Sequence, residues 1–135
     1  MFEEVHHITL SGKEIPIKCD ILVLERLQQK YGSLSVFERE ILNWEYEKDA
    51  DGKKKKTRVA KEPNIEAVLY ALYEMAKEGA VIEGIEIGQR EDFMRKIDVQ
   101  FMDLASAVHD EFAFGFSEKN GVTTQKRTTE KNKEG

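Results

Sequence analysis

Apolar and polar side chains alternate over residues 4–18, EVHHITLSGKEIPIK. Val5, His7 and Thr9 fall on one face, and His6, Ile8 and Leu10 on the other; Ser11-Gly12-Lys13 then breaks the run. A period of two interrupted by a glycine turn predicts a β-hairpin. Pro16 in its second arm has no N–H to give a ladder, which predicts an edge position and a small sheet. Beyond residue 20 the period lengthens. Asp20 precedes Ile21, Leu24, Leu27 and Gln28 or Tyr31, spaced as one face of a helix over 21–31, and Gly32 supplies its stop. Ser35 with Glu38 spells a capping box, and the helix it opens, over about 36–45, turns Phe37, Ile41 and Trp44 inward.

The apolar pattern then lapses. Residues 45–62, EYEKDADGKKKKTRVAKE, hold almost no large apolar side chain and carry Asp51-Gly52 at their centre, which predicts a solvated charged loop, or alternatively a charged hairpin. Periodicity returns after Pro63-Asn64. Ile65, Val68, Leu69, Leu72, Met75 and Ala76 recur at helical spacing up to Glu78-Gly79, which reads as an exit. Ala80 to Ile87, interrupted by Gly84, reads as a connection. A last and longest helix runs from Glu91 or Asp92 to about Phe114, with Phe93, Ile97, Phe101, Leu104, Val108 and Phe112 in one stripe. Met94, Val99, Met102, Ala105 and Phe116 widen that stripe beyond one shallow contact.

These elements predict a mainly α (α+β) fold: a small N-terminal β-hairpin, then about four helices, with a charged loop at 46–62. A single domain over 1–116 follows from length, because two cores of half this size would each be marginal. Residues 117–135 contain Val122 as their only aliphatic side chain and read as a flexible polar tail.

Charge narrows the partner. The chain carries −5 overall, and residues 117–135 hold five basic and three acidic groups, so the body is more acidic than the whole. An acidic body repels phosphate backbones, and the Lys53–Lys56 run directly follows Glu45, Glu47, Asp49 and Asp51, so it reads as a solvated charge block and nucleic acid is not expected. No apolar run of about 18 residues is present to span a bilayer. Met1-Phe2-Glu3-Glu4 lacks the basic flank and apolar stretch of a secretory signal, and Cys19 is the only cysteine; both predict a reducing, cytoplasmic setting.

Candidate chemistry is sparse. His6 and His7, adjacent on a strand, point to opposite faces, and His109 follows a helical stripe just ahead of Asp110 and Glu111, so no metal ligand set is expected. Cys19 lacks any motif around it and reads as a small buried apolar residue. Gly79, Gly84 and Gly88 match no phosphate-binding fingerprint. With no catalytic, cofactor or metal residues assigned, the expectation is a non-enzymatic protein that binds other proteins. Phe93, Met94, Phe101, Met102, Phe112, Phe114 and Phe116 are the candidate contact residues, because phenylalanine and methionine suit adaptable apolar interfaces. For Phe93, Phe101 and Phe112 the core is the favoured destination.

The order of segments adds a further reading. The opening ITLSGKEIPIKCD, then LERLQQKYGSLSVFE, a charged insert, and EPNIEAVLYALYEMAKEGAVIE with Met75 followed by Glu78-Gly79, resembles the tail assembly chaperones of long-tailed bacteriophages and prophages of Gram-positive bacteria. The resemblance covers about residues 8–112. It implies a protein that binds the tape-measure protein during tail assembly, keeps its apolar surfaces from aggregating, and helps recruit tail-tube subunits, with no nucleotide or metal. Proteins of that family often have a second, longer product made by ribosomal frameshifting near the end of the reading frame. The alternative is a small adaptor or regulatory protein-binding domain, dimeric through the helix of 91–114.

Overall fold

The computed structural model describes residues 4–120. β1 (His6–Leu10) and β2 (Lys13–Ile17) form the expected antiparallel hairpin, in register His6↔Ile17, Ile8↔Ile15 and Leu10↔Lys13. Its two-residue turn places both Ser11 (φ 51°) and Gly12 (φ 77°) in the left-handed region, the geometry that matches strand twist. Serine tolerates this conformation poorly, and here the Ser11 N–H donates to Asp98 Oδ1 (3.1 Å) while its Oγ–H donates to the Lys96 carbonyl (2.7 Å). Pro16 has the expected two-stranded setting, but helix packing buries it.

Helix α1 (Ile21–Tyr31) starts and stops as its sequence predicts. Asp20 Oδ1 accepts from the N–H groups of Leu22 and Val23, and the Gly32 N–H closes on the Gln28 carbonyl. Its buried face is Val23, Leu24 and Leu27, whereas Ile21, expected inward, is 58% exposed. Helix α2 (Leu34–Ile41) begins earlier than the Ser35–Glu38 box implies. Ser33 is the cap, its Oγ accepting from the Val36 N–H (3.1 Å), and Glu38 reaches away to His109. The helix also ends earlier, because Leu42 is extended and Trp44 begins a strand.

Of the two readings of residues 45–62, the structure takes the charged hairpin in place of the charged loop at 46–62, with β3 (Trp44–Lys48) antiparallel to β4 (Lys54–Ala60). Alternating Trp44 and Tyr46 in β3, and β-branched Thr57 and Val59 in β4, supply strand preference that the charge density hid. At its tip Asp49 Oδ1 accepts from the Asp51 and Lys53 N–H groups.

Helix α3 (Ile65–Glu83), capped by Asn64, is the centre of the fold, with contacts to β2, α1, α2, α4 and α5. It does not stop at Gly79. The chain continues helical to Glu83, and Gly84 adopts the left-handed conformation (φ 72°) that ends it. Gly79 serves a different purpose: a Cβ there would sit 2.6 Å from the Pro16 carbonyl carbon and oxygen. Its missing side chain lets β2 lie against the helix, and the Lys18 N–H donates to the Met75 carbonyl at 3.0 Å.

The long last helix is two helices, α4 (Arg90–Arg95) and α5 (Phe101–Asn120). Residues 96–100 leave the helical path where Asp98 and the Lys96 carbonyl are engaged by the Ser11 turn, and β-branched Ile97 and Val99 weaken the helical alternative. α5 passes through Gly115 to Asn120, so residues 117–120 of the expected tail are helical; 121–135 lie outside the described residues. Gly115 repeats the role of Gly79 on the other side, since a Cβ there would overlap the Cys19 carbonyl oxygen. The segment Pro16–Cys19 therefore runs between two helices that each approach it through a glycine. Around it the core gathers Leu10, Ile17, Val23, Leu27, Phe37, Ile41, Leu72, Met75, Phe93, Leu104, Val108 and Phe112. Burying each of the larger of these contributes about 1.5–3 kcal/mol.

Candidate protein-binding surfaces

The seven residues picked from the sequence part company in the fold. Phe93 is buried against Tyr73 (ring centroids 5.4 Å apart), and Phe112 is buried edge-on to Phe37 (5.1 Å). Met94 and Phe101 are half-buried against the core, and Phe114 is half-buried with its ring edge-to-face with His6 at 4.9 Å. Only Met102 (44% exposed) and Phe116 (38%) reach the surface strongly. They lie 14 residues apart on one face of α5, about 21 Å along its axis, so they belong to different surfaces.

At the Phe116 end, Ile21 and Leu22 of α1 and Leu34 of α2 join it. Together with Leu24 they line an open apolar groove, with Glu25, Gln28 and Lys119 among its polar lining. The groove exists because Asp20 caps α1 with its first two residues turned outward, while Phe116 stacks on buried Phe112 (5.9 Å) and is thereby fixed in place. Sequence reading missed Ile21 and Leu22 because Ile21 fits the inward period. The available signal was a run of four apolar residues, Ile21 to Leu24, one face more than a single stripe requires. Another apolar patch lies at the end of α3, where Val81 (75% exposed), Ile82 and Ile85 surround the exit at Gly84.

Met102 lines a small pocket with Trp44 and His109, and beside it α2, His109 of α5 and the second hairpin enclose a groove richer in charged side chains. Trp44 and Tyr46 project into it, Arg58 covers the Trp44 ring at 4.0 Å, and His109 Nε2 contacts Glu38 Oε2 at 2.8 Å on the opposite wall.

Several ionisable side chains are engaged in structural pairs. The buried Glu111 carboxylate accepts the Cys19 N–H on Oε2 (2.9 Å) and contacts His6 Nδ1 through Oε1 (2.6 Å), while His6 Nε2 lies 3.2 Å from Glu4. Two carboxylates are best served by an imidazole that donates from both nitrogens. The hydrogen bond to Glu111 accordingly raises the His6 pKa above 6.5, against a smaller opposing effect of burial. Burial, reinforced by Glu111 and Asp20, pushes the Cys19 thiol pKa up, the direction that disfavours a thiolate nucleophile. His7 pairs with Glu83 on α3 and His109 with Glu38 on α2, so the three histidines are held at three separate places. Among the described residues no group of three or more His, Cys, Asp or Glu side chains is placed to hold a metal ion, and no helix is long and apolar enough to cross a membrane.

No protein-family model, curated protein or solved structure matches the chain.

Proposed function

We propose that this protein is a non-enzymatic tail assembly chaperone of a long-tailed phage or prophage, acting in the bacterial host cytoplasm. It binds apolar segments of the tape-measure protein, keeps them from aggregating, and helps recruit tail-tube subunits. The observation that carries the binding half of this reading is the groove of Ile21, Leu22, Leu34 and Phe116, an exposed apolar surface held on rigid helix ends. Such a groove suits the apolar face of an amphipathic helix, and its open form suits a partner that must later leave. The tail-assembly half rests on the order of segments, including Met75 and Glu78-Gly79. The fold gives two of those residues a structural purpose, since Met75 and Gly79 seat β2 on the central helix.

Coexpression with a tape-measure protein tests the reading. The expected result is a soluble complex on size exclusion, lost when Leu22→Asp and Phe116→Asp are combined. A tape measure that stays insoluble in the presence of the unaltered chain, with no complex formed, overturns it. An adaptor that pairs with its own copy through the same groove is the second reading. It predicts a dimer in sedimentation velocity that the same double substitution dissociates.

A further inference from the structure

The β3–β4 hairpin differs in kind from the apolar groove. All seven residues of β4 are exposed, and of β3 only Trp44 is partly covered. The sheet has two strands, so among the described residues each strand keeps one edge with no strand beside it. Two-stranded hairpins are marginal in water by themselves. This one is secured at its base, where the Lys61 N–H donates to the Asn43 carbonyl (3.0 Å) and Arg58 lies over Trp44, and at its tip by Asp49.

Charge is uneven between the two strands. β3 carries Glu45 and Glu47 before Lys48, which pairs with Lys54 beyond a register shift, whereas Lys53–Lys56 and Arg58 belong to β4 and its approach. Residues 44–61 hold seven basic and four acidic side chains in a chain whose net charge is −5, so the hairpin is the basic projection of an acidic protein. Among the described residues no ion pair takes up Lys53, Lys54, Lys55 or Lys56. Lysine on an edge strand commonly keeps like edges apart, because a second β4 would set Lys against Lys. The same charges define what the edge accepts.

We propose that the free edge of β4 receives an extended, acidic segment of a partner protein as a third strand. Backbone hydrogen bonds supply the affinity, and cross-strand carboxylate–lysine pairs supply the selection. A third strand also brings the sheet to a size that supports itself. A protein segment fits better than single-stranded nucleic acid, which needs open aromatic faces. The Trp44 ring is covered by Arg58 at 4.0 Å and met edge-on by Tyr46 at 5.2 Å. This inference uses no part of the tail-assembly reading and stands or falls separately.

The test titrates the full chain with an acetylated, amidated peptide of about ten residues alternating Glu and Thr, the length of a long strand, followed by amide exchange. Outer-edge amides within Lys54–Ala60 should gain about tenfold or greater protection, and binding should weaken with salt. Lys54→Glu combined with Lys56→Glu, both at exposed positions, should weaken binding about tenfold by reversing two cross-strand pairs. Equal binding of a Lys/Thr peptide, equal binding of a backbone N-methylated Glu/Thr peptide, or binding without β4 protection overturns the proposal. Tighter binding of oligo-dT would make the hairpin a nucleic-acid surface instead. Self-association abolished by the double substitution would make the occupant a second copy.

Discussion

Glu111, in the middle of α5, accepts the backbone N–H of Cys19 at 2.9 Å, so a buried carboxylate from the last helix terminates the hydrogen bonding of the segment that leaves the first sheet. Its other oxygen holds His6 at 2.6 Å on β1. One side chain thus ties the start of the chain to its last helix. Replacing it by alanine leaves the Cys19 N–H buried without this acceptor, a loss of about 1–3 kcal/mol for the N–H alone and more when a charged partner is removed. We expect Glu111→Ala to lower unfolding free energy by about 3 kcal/mol in urea titration. Glu111→Gln, which keeps a carbonyl acceptor, should cost clearly less. Equal stability of Glu111→Ala and the parent chain would show that the contact contributes nothing.

The same cluster sets a pH dependence. His6 has its pKa raised above 6.5, chiefly by the hydrogen bond to Glu111, with Glu4 adding to it. A raised pKa means that the folded state binds the proton more tightly than the unfolded chain. The stabilisation is therefore fully present below pH 6.5 and is lost as pH rises through the raised value. His6 is partly exposed, so solvent screens the effect and it should be modest. Unfolding free energies of the parent chain and His6→Gln, measured across this range, should differ most on the acidic side and converge above it. A gap that widens with rising pH would contradict the assignment.

Local signals made the first third of the fold legible. Turn chemistry at Ser11-Gly12 and the Asp20 and Gly32 caps act within a few residues, so the sequence alone specifies them. The misreadings arose where a distant segment decided. Nothing between Lys96 and Gln100 is a glycine or proline, and the α4–α5 break is held by a turn about 85 residues earlier in the chain. The second hairpin was obscured because its charges are as consistent with a loop as with a strand that exposes every residue. For the candidate binding surface, the Phe and Met surplus of residues 93–116 indicated α5, yet Phe93 and Phe112 fill the core and Met94, Phe101 and Phe114 are half-buried; the exposed groove borrows Ile21 and Leu22 from a helix whose period pointed Ile21 inward.

Gly79 and Gly115 show why a glycine in a helical pattern is ambiguous, and they give the last prediction. By helix propensity alone, Gly→Ala at either position should stabilise by about 1 kcal/mol. Packing opposes this. A new Cβ at Gly79 would lie 2.6 Å from the Pro16 carbonyl, and one at Gly115 would overlap the Cys19 carbonyl. Both obstacles are backbone atoms of the segment clamped by Met75 and Glu111, so neither can rotate away as a flexible side chain would. Overpacking of this kind costs about 1–3 kcal/mol, and an overlap with fixed backbone belongs at the upper end. The packing penalty therefore wins, and each alanine should destabilise by about 2 kcal/mol net, with Gly115→Ala the worse of the two. Ser106→Ala, at an exposed position of α5, should be neutral or slightly stabilising in the same urea titrations. If both glycine variants instead gained stability like that control, the close approach of the two helices to Pro16–Cys19 would be wrong, because propensity would be the only effect left acting.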